Sequence, residues 1–268
     1  MDTLKKIAYE RRLDVLEMIW ASKSGHIGGS MSCMDILVTL YYEIMDTDKI
    51  LKNAPDRDRF ILSKGHCAEA LYAVLADKGF FPKEDLKTFG KFDTALAEHP
   101  TKKIPGVEIA TGALGHGLSI GVGMALGLKN TSSTIYVLMG DGELAEGSVW
   151  EAIMAANKYS LNNLIAIIDR NYLQISGETK DIMPLESLVG KFEYFGWPVL
   201  LCDAHNPERI IARIKEGRQG NAGPFALIAE SIKGKGSSLM EYKTEWHHQI
   251  PNEAQYKQMK EDLRHGYQ

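Results

Sequence analysis

A carboxylate between two glycines stands where a predicted strand ends. Residues 135–139 are apolar or aromatic and predict a buried strand, and Gly140, Asp141 and Gly142 follow it directly. The residues after Gly142 have the spacing of a helix, so the motif joins a strand to a helix. Backbone N–H groups and the helix dipole converge at such a junction, and glycines let the backbone approach a bulky anion. Asp141 there offers a carboxylate to a hard cation.

A second predicted strand ends near a complementary ligand. Residues 164–169 form an apolar run that ends in an aspartate, and Asn171 lies two residues beyond it. Ligands bind at the carboxyl ends of strands in α/β sheets, so Asp141 and Asn171 can meet there over one metal–diphosphate. Gly-Asp-Gly alone occurs by chance in turns, but an asparagine about thirty residues later makes the pattern fairly specific.

Lysines follow two further predicted strands. Residues 59–62 predict a short strand, and Lys64 and His66 lie in the glycine-containing turn after it. Residues 224–230 predict the last strand, and Lys233 lies in the glycine-rich segment that follows. Both segments are placed to meet an anion such as a diphosphate. The alternative for Lys64 and His66 is a surface lysine and histidine near a helix start.

Histidines lie in three segments that we expect to be loops. His26 lies in residues 22–30, a polar stretch with three glycines, His99 follows in a long stretch without apolar periodicity, and His247 begins a His-His pair. Histidine exchanges protons near neutral pH because its unperturbed pKa is about 6.5. The alternatives are a turn after a helix C-cap for His26 and a solvated segment for the His-His pair.

Residues 111–123 contain five glycines and run into an alanine- and leucine-rich helix. Glycine this dense indicates close contact with another helix or with a ligand. The residues before this segment make a poor strand, and no acidic residue closes a second strand at the expected offset. A dinucleotide-binding fingerprint, and with it a nicotinamide-dependent oxidoreductase, is therefore disfavoured.

Predicted strands alternate with predicted helices over residues 59–230, which favours an α/β fold. We expect a three-layer sandwich in which helices cover both faces of a mostly parallel sheet. An apolar stripe predicts a helix over residues 2–22, and residues 34–45 and 67–78 are expected to be helical. No repeat or linker divides the chain, so residues 1–268 are expected to form one domain.

Composition restricts the class of function. The chain has 268 residues, 44% hydrophobic and 25% charged, and its net charge of −4 comes without a basic run, so nucleic acid is not an expected partner. No apolar run approaches the ~20 residues that span a bilayer, and the first thirty residues do not form a secretory signal. Cys33, Cys67 and Cys202 are widely spaced, which is typical of reduced thiols. A cytoplasmic protein is expected.

The sequence resembles the N-terminal, diphosphate-binding domain of transketolase over nearly its whole length. Six motifs occur in family order: Ser24-Gly-His26, residues 57–66, His99-Pro100, Pro105-Gly-Val-Glu followed by residues 111–117, Gly140-Asp-Gly142 with Asn171, and Trp246-His247.

The resemblance implies thiamine diphosphate bound with Mg²⁺ or Ca²⁺. Asp141, the Asn171 side chain and the Leu173 backbone carbonyl would hold the metal, since such cations take oxygen ligands. His26, His99 and His247 would face the sugar and move protons. The implied cofactor-binding residues are Lys64, His66, Gly112, Leu114, Gly140, Asp141, Gly142, Glu143, Asn171, Lys233 and His247.

The chain departs from the familiar transketolase in length. We expect the pyrimidine-binding domain of the family to be absent from this chain, and no acid here matches the family glutamate that contacts the aminopyrimidine. We therefore expect a split enzyme in which a separate C-terminal subunit carries that domain, in an α2β2 heterotetramer. Residues 112–123 and the helix after Gly142 would form part of the interface. The transferred unit would be a two-carbon ketol group, from a ketose to an aldose, and the sugars could be phosphorylated, sulfonated or branched.

Two alternatives share the cofactor class: the α-subunit of a 2-oxo acid dehydrogenase and an enzyme like 1-deoxyxylulose-phosphate synthase. The three histidines argue against the first, because 2-oxo acids lack the hydroxyl groups that histidines would bind. A catalytically idle regulatory subunit is a further alternative. The intact set of Asp141, Asn171 and histidines argues against it.

Overall fold

The computed structural model describes residues 2–220 and 222–266. Five parallel strands form one sheet in the order β1-β2-β3-β5-β4. The strand bounds are β1 Arg59–Leu62, β2 Ile135–Gly140, β3 Leu164–Arg170, β4 Val199–Asp203 and β5 Phe225–Glu230. The α/β fold with a parallel sheet, predicted from the alternation of strands and helices, is confirmed.

The helices precede and connect the strands. Their bounds are α1 Asp2–Ser22, α2 Ile27–Ser32, α3 Met34–Thr39, α4 Thr47–Leu51, α5 Ala68–Asp77, α6 Gly117–Gly127, α7 Gly147–Lys158, α8 Thr179–Ile182, α9 Leu188–Tyr194, α10 Pro207–Arg218 and α11 Glu253–His265. Short 3₁₀ turns cover Gly65–Cys67, Lys83–Thr88, Gly142–Ala145 and Thr244–His247, and a π-helical turn covers Leu40–Ile44. None of the described helices is long and apolar enough to cross a membrane.

Alternate residues of each strand enter two hydrophobic clusters on opposite faces of the sheet. Tyr136 and Leu138 of β2 pack into the cluster that contains α1, α3, α5 and α10, whereas Val137 and Met139 pack into the cluster that contains α6, α7 and α9. Because both faces are covered, the three central strands are buried almost throughout.

Residues 22–30 are not a loop throughout, and that expectation is wrong for residues 27–30, which belong to α2. Two glycines disfavour a helix by propensity, but tertiary packing requires them here. A Cβ atom on Gly28 would lie 2.6 Å from the carbonyl oxygen of Trp246, and one on Gly29 would lie 2.7 Å from the Cys67 sulfur. Close packing therefore outweighs helix propensity at this point.

The register of the sheet places the ends of the central strands at one level. Leu62 aligns with Leu138, Leu138 with Ile167 and Ile167 with Leu227. The loops after β1, β2, β3 and β5 therefore leave the same edge of the sheet side by side. Ligands of α/β proteins bind at this edge.

Candidate active site

A cavity of about 300 Å³ opens at the carboxyl ends of β1, β2, β3 and β5. Every residue that the sequence predicted for cofactor or metal binding lines it, from Lys64 to His247, and His26 lines it as well. Their roles stay predictions, but the fold brings them together. The lining residues that the sequence analysis missed are Gly29, Gln174, Ile175 and Ser176.

Asp141 lines this cavity and is buried, 5% exposed. Its Oδ1 accepts a hydrogen bond from the Gly142 N–H at 2.8 Å, and its Oδ2 accepts one from the Tyr172 N–H at 2.6 Å. Burial, and then the nearby Asp169 carboxylate, raise the pKa of Asp141 to about 6. A carboxylate held in this way gains from a cation that neutralises its charge.

Two further oxygens lie in the loop after β3. The Asn171 amide oxygen accepts a hydrogen bond from the Leu173 N–H at 3.1 Å, which fixes the buried side chain. The Leu173 carbonyl faces the Lys233 Nζ at 3.4 Å, and that amine lies 3.0 Å from the His247 Nδ1. Lys233 thus places a positive charge next to the predicted metal ligands. Burial, and then the positive charge of Lys64, lower the pKa of Lys233 to about 8.

Lys64 lines the cavity but forms an ion pair with Asp169, which is fully buried. Ser231 and Ser32 also donate hydrogen bonds to Asp169, Ser32 at 2.6 Å. Burial opposes the charge of Lys64, yet the Asp169 carboxylate keeps the lysine pKa well above its usual value. Asp169 thus holds Lys64, Ser32 and Ser231 together, a role that its sequence position at the end of a strand does not predict.

Glu143 is a second buried carboxylate with several partners. It accepts hydrogen bonds from the Ser63 hydroxyl, from the Gly115 N–H at 2.9 Å and from the Gly140 N–H at 3.3 Å. Burial raises its pKa. Glu143 therefore joins the loop after β1, the glycine-rich turn and the end of β2.

Four histidine rings surround His26. Ring centroids lie 5.3 Å away for His66, 5.5 Å for His247, 6.0 Å for His99 and 4.5 Å for His248. Burial, and then the other positive groups, lower the pKa of His26 to about 4 and that of His247 to about 3. These two rings are neutral at pH 7, so each can both donate and accept a hydrogen bond.

His99 does not line the cavity, although it belongs to the same group of rings. Its imidazole packs on the glycine-rich turn: a Cβ atom on Gly112 would lie 2.9 Å from the His99 Cδ2. Gly112 also has a φ of 149°, which disfavours a side chain. Burial lowers the pKa of His99.

The arrangement favours binding of a cation-bridged, anionic ligand. Asp141, the Asn171 amide and the Leu173 carbonyl supply three oxygen atoms, the ligand type that Mg²⁺ and Ca²⁺ prefer. Two lysines supply positive charge at the same cavity, and neutral histidines lie next to them. The site therefore combines a half whose charges suit a cation-bridged anion with a half suited to hydroxyl groups and proton transfer.

Residues 3–268 match the family model described as transketolase, thiamine diphosphate binding domain. The chain is 46% identical over 260 residues to a subunit of the apulose-4-phosphate transketolase of Phocaeicola vulgatus, covering 96% of this chain and 92% of that protein. It is 41% identical over 245 residues to the 6-deoxy-6-sulfo-D-fructose transketolase subunit SqwG of a Clostridium species, covering 90% and 89% respectively.

A solved structure shows the same fold. The transketolase of Campylobacter jejuni superposes with a TM-score of 0.90 at 30% identity, over 98% of this chain and 43% of the longer one. The chain thus spans about two fifths of that transketolase, and it covers nearly the full length of the two relatives whose names describe them as transketolase subunits.

Proposed function

The chain belongs to the transketolase family, and we propose that it is the thiamine diphosphate-binding subunit of a split transketolase that transfers a two-carbon ketol unit from a ketose to an aldose. The observation that carries this proposal is the meeting of Asp141, Asn171 and the Leu173 carbonyl with the histidine group at one cavity.

The residues present fit thiamine diphosphate with a divalent cation. Asp141 is a buried carboxylate with a raised pKa, so a cation relieves the free-energy cost of its charge. A Cβ atom on Gly140 would meet no atom within 4 Å, so the backbone that precedes Asp141 borders open space. We propose that Mg²⁺ or Ca²⁺ binds Asp141, Asn171 and Leu173, and that Lys233 moves from the Leu173 carbonyl to the diphosphate.

When bound, thiamine diphosphate supplies the carbon nucleophile that ketol transfer requires. The chain itself binds, orients and exchanges protons. Lys64 and His66 fix the anionic end, together with the Gly142 N–H once it leaves the Asp141 Oδ1, and the Gly112 to Leu114 turn borders the ring end. His26, His99 and His247 are proposed to bind the sugar hydroxyl groups and to carry their protons, which neutral imidazoles can do in both directions.

A second polypeptide is part of the proposal. Relatives of similar length are named as single subunits of a transketolase, which implies a partner. We propose that the partner carries the pyrimidine-binding domain and that the assembly is a heterotetramer. Leu126 on α6 and Met154 on α7 are 41% and 50% exposed, which supports an interface on these two adjacent helices. Three buried cysteines without a disulfide support a reducing compartment such as the cytoplasm.

The test is reconstitution with a co-expressed C-terminal transketolase subunit. We expect the isolated chain to bind thiamine diphosphate weakly and to turn over no substrate, whereas the pair transfers ketol units. Branched-chain ketose phosphates and sulfonated ketoses are the first donors to assay, because the relatives are named for such sugars. Full activity of the chain alone would contradict the split enzyme.

One alternative in the same cofactor class is a 2-oxo acid dehydrogenase subunit. Decarboxylation of labelled pyruvate by the reconstituted pair would favour it over ketol transfer. The group of rings around His26 favours a hydroxylated substrate, since each neutral imidazole offers a donor and an acceptor.

A further inference from the structure

A second cluster of metal-ligand side chains lies beside the histidine group. His26, Glu98 and His248 each offer one ligand atom, and these three atoms all lie within 4.8 Å of one another. Glu98 and His248 do not line the cavity that contains Asp141. The cluster is therefore separate from the predicted Mg²⁺ ligands, and it joins three distant segments of the chain.

Glu98 is held in position at this cluster. Its Oε1 accepts a hydrogen bond from the Ser24 hydroxyl, and its Oε2 lies 3.9 Å from the His248 Nε2. The His248 ring centroid lies 4.5 Å from that of His26. His248 is half exposed and can rotate, so small side-chain movements suffice to bring the three groups around one ion.

His26 has a ring nitrogen without a protein partner. Its Nδ1 is buried and makes no hydrogen bond to any residue that the structure describes. His205 differs, because its Nδ1 lies 2.7 Å from an Asp35 oxygen and its Nε2 accepts a hydrogen bond from the Ile232 N–H at 2.9 Å. Burial lowers the pKa of His26 to about 4, so its imidazole is in the neutral form that binds metals.

We propose that His26, Glu98 and His248 bind a divalent transition-metal ion such as Zn²⁺. Two imidazoles and one carboxylate are a common zinc ligand set that leaves a fourth position open. Imidazole nitrogen favours Zn²⁺ over Mg²⁺, which prefers oxygen, so the two sites differ in the ion they select.

An ion at this site occupies His26 and stands beside the cavity. If His26 binds the sugar, as the proposed function states, Zn²⁺ competes with the sugar and inhibits transfer. That consequence rests on the proposed function, whereas binding of Zn²⁺ does not.

The test uses the isolated chain with Mg²⁺ and without thiamine diphosphate. Titration with ZnCl₂ is followed by calorimetry, and titration with CoCl₂ by visible absorption, which reports nitrogen ligands. We expect one tight ion per chain in the wild type. His248→Ala and Glu98→Gln should each weaken Zn²⁺ binding by more than about 10-fold, because loss even of outer-shell partners costs about 10- to 100-fold.

The matched control is His265→Ala, which removes an exposed histidine of α11 outside the cluster and should leave Zn²⁺ affinity unchanged. Thermal unfolding without metal checks that each variant is folded. Absence of tight Zn²⁺ binding by the wild type overturns the proposal. So does wild-type affinity in both His248→Ala and Glu98→Gln.

Discussion

Two groups of buried charges in this chain differ in whether neighbouring groups compensate for their burial. One group, which we call the Arg12 cluster, consists of Arg12, Asp35 and His205, none of which lines the cavity. The other lies at the cavity and includes Asp141 and Lys233. In the first, neighbours stabilise each charge; in the second, burial makes each charge unfavourable.

The Arg12 cluster is fully paired. Arg12 Nη2 lies 2.5 Å from Asp35 Oδ2, its Nε donates to the Met31 carbonyl at 3.1 Å, and His205 Nδ1 lies 2.7 Å from the same carboxylate. Burial would raise the pKa of Asp35, but Arg12 and then His205 hold it well below its usual value.

For Asp141 and Lys233 the pKa shifts run the other way. The pKa of Asp141 rises to about 6 and that of Lys233 falls to about 8, in each case mainly because of burial. The same cause lowers the pKa of His247 to about 3. Paired charges serve the fold, whereas these incompletely compensated charges mark where a ligand supplies the missing partner.

The largest effect is expected for Asp141→Asn, a variant that tests the cavity. We expect loss of Mg²⁺-dependent thiamine diphosphate binding, by more than about 100-fold, since even outer-shell changes at metal sites cost about 10- to 100-fold. Calorimetry with and without Mg²⁺ measures this. Asp203→Asn, at the end of β4 and outside the cavity, is the matched control. Retained Mg²⁺-dependent affinity would contradict the metal assignment.

The same chemical change in the Arg12 cluster should act on stability. Asp35→Asn leaves the buried Arg12 without its counter-ion, and we expect a loss of about 3 kcal/mol in the free energy of unfolding. Cofactor affinity should not change. Urea denaturation of Asp35→Asn and Asp141→Asn under the same conditions measures the free energy of unfolding of each variant. An equal or larger loss in Asp141→Asn would end the distinction between the groups.

A pair of histidine variants tests the distinction between the two groups further. His99→Ala should lower the turnover of the reconstituted enzyme by about 100-fold, a typical contribution of acid–base catalysis, with cofactor affinity near normal. His205→Ala, in the Arg12 cluster, should reduce stability and leave the turnover of folded enzyme nearly unchanged. Steady-state kinetics combined with unfolding curves separates the two. Equal turnover for both variants would remove the proposed role of His99.

The smallest effect is on the pH dependence of stability. The pKa of Asp35 is lowered in the folded chain, so its stabilisation is present above the unfolded value of 3.8 and is lost as the pH falls. The pKa of Asp141 is raised to about 6, so its contribution is full below 3.8 and is lost as the pH rises through 6. Difference curves for the two Asp→Asn variants should therefore change with opposite sign and in separate pH ranges, below about pH 4 for Asp35→Asn and between about pH 4 and about pH 6 for Asp141→Asn.

Apolar runs and strand-end motifs predicted the sheet and most of the cavity. Asp141, Asn171 and Lys233 could be placed because parallel strands end at one edge of a sheet. Pairwise contacts could not be predicted. No residue near Asp169 in the sequence indicates that it binds Lys64, which lies 105 residues away. Likewise α2 depends on the packing of Gly28 against Trp246, which only the folded chain shows.

The hydrogen bonds of Glu143 couple the movements of three segments. Because one carboxylate accepts hydrogen bonds from the Ser63 hydroxyl and from the amides of Gly115 and Gly140, we expect the loop after β1, the glycine-rich turn and the end of β2 to open together. Hydrogen–deuterium exchange at the two glycine amides should then proceed at one shared rate, slowed by a single opening event. The segment with Gln174, Ile175 and Ser176 is not held by Glu143, so we expect this segment to move when a ligand enters.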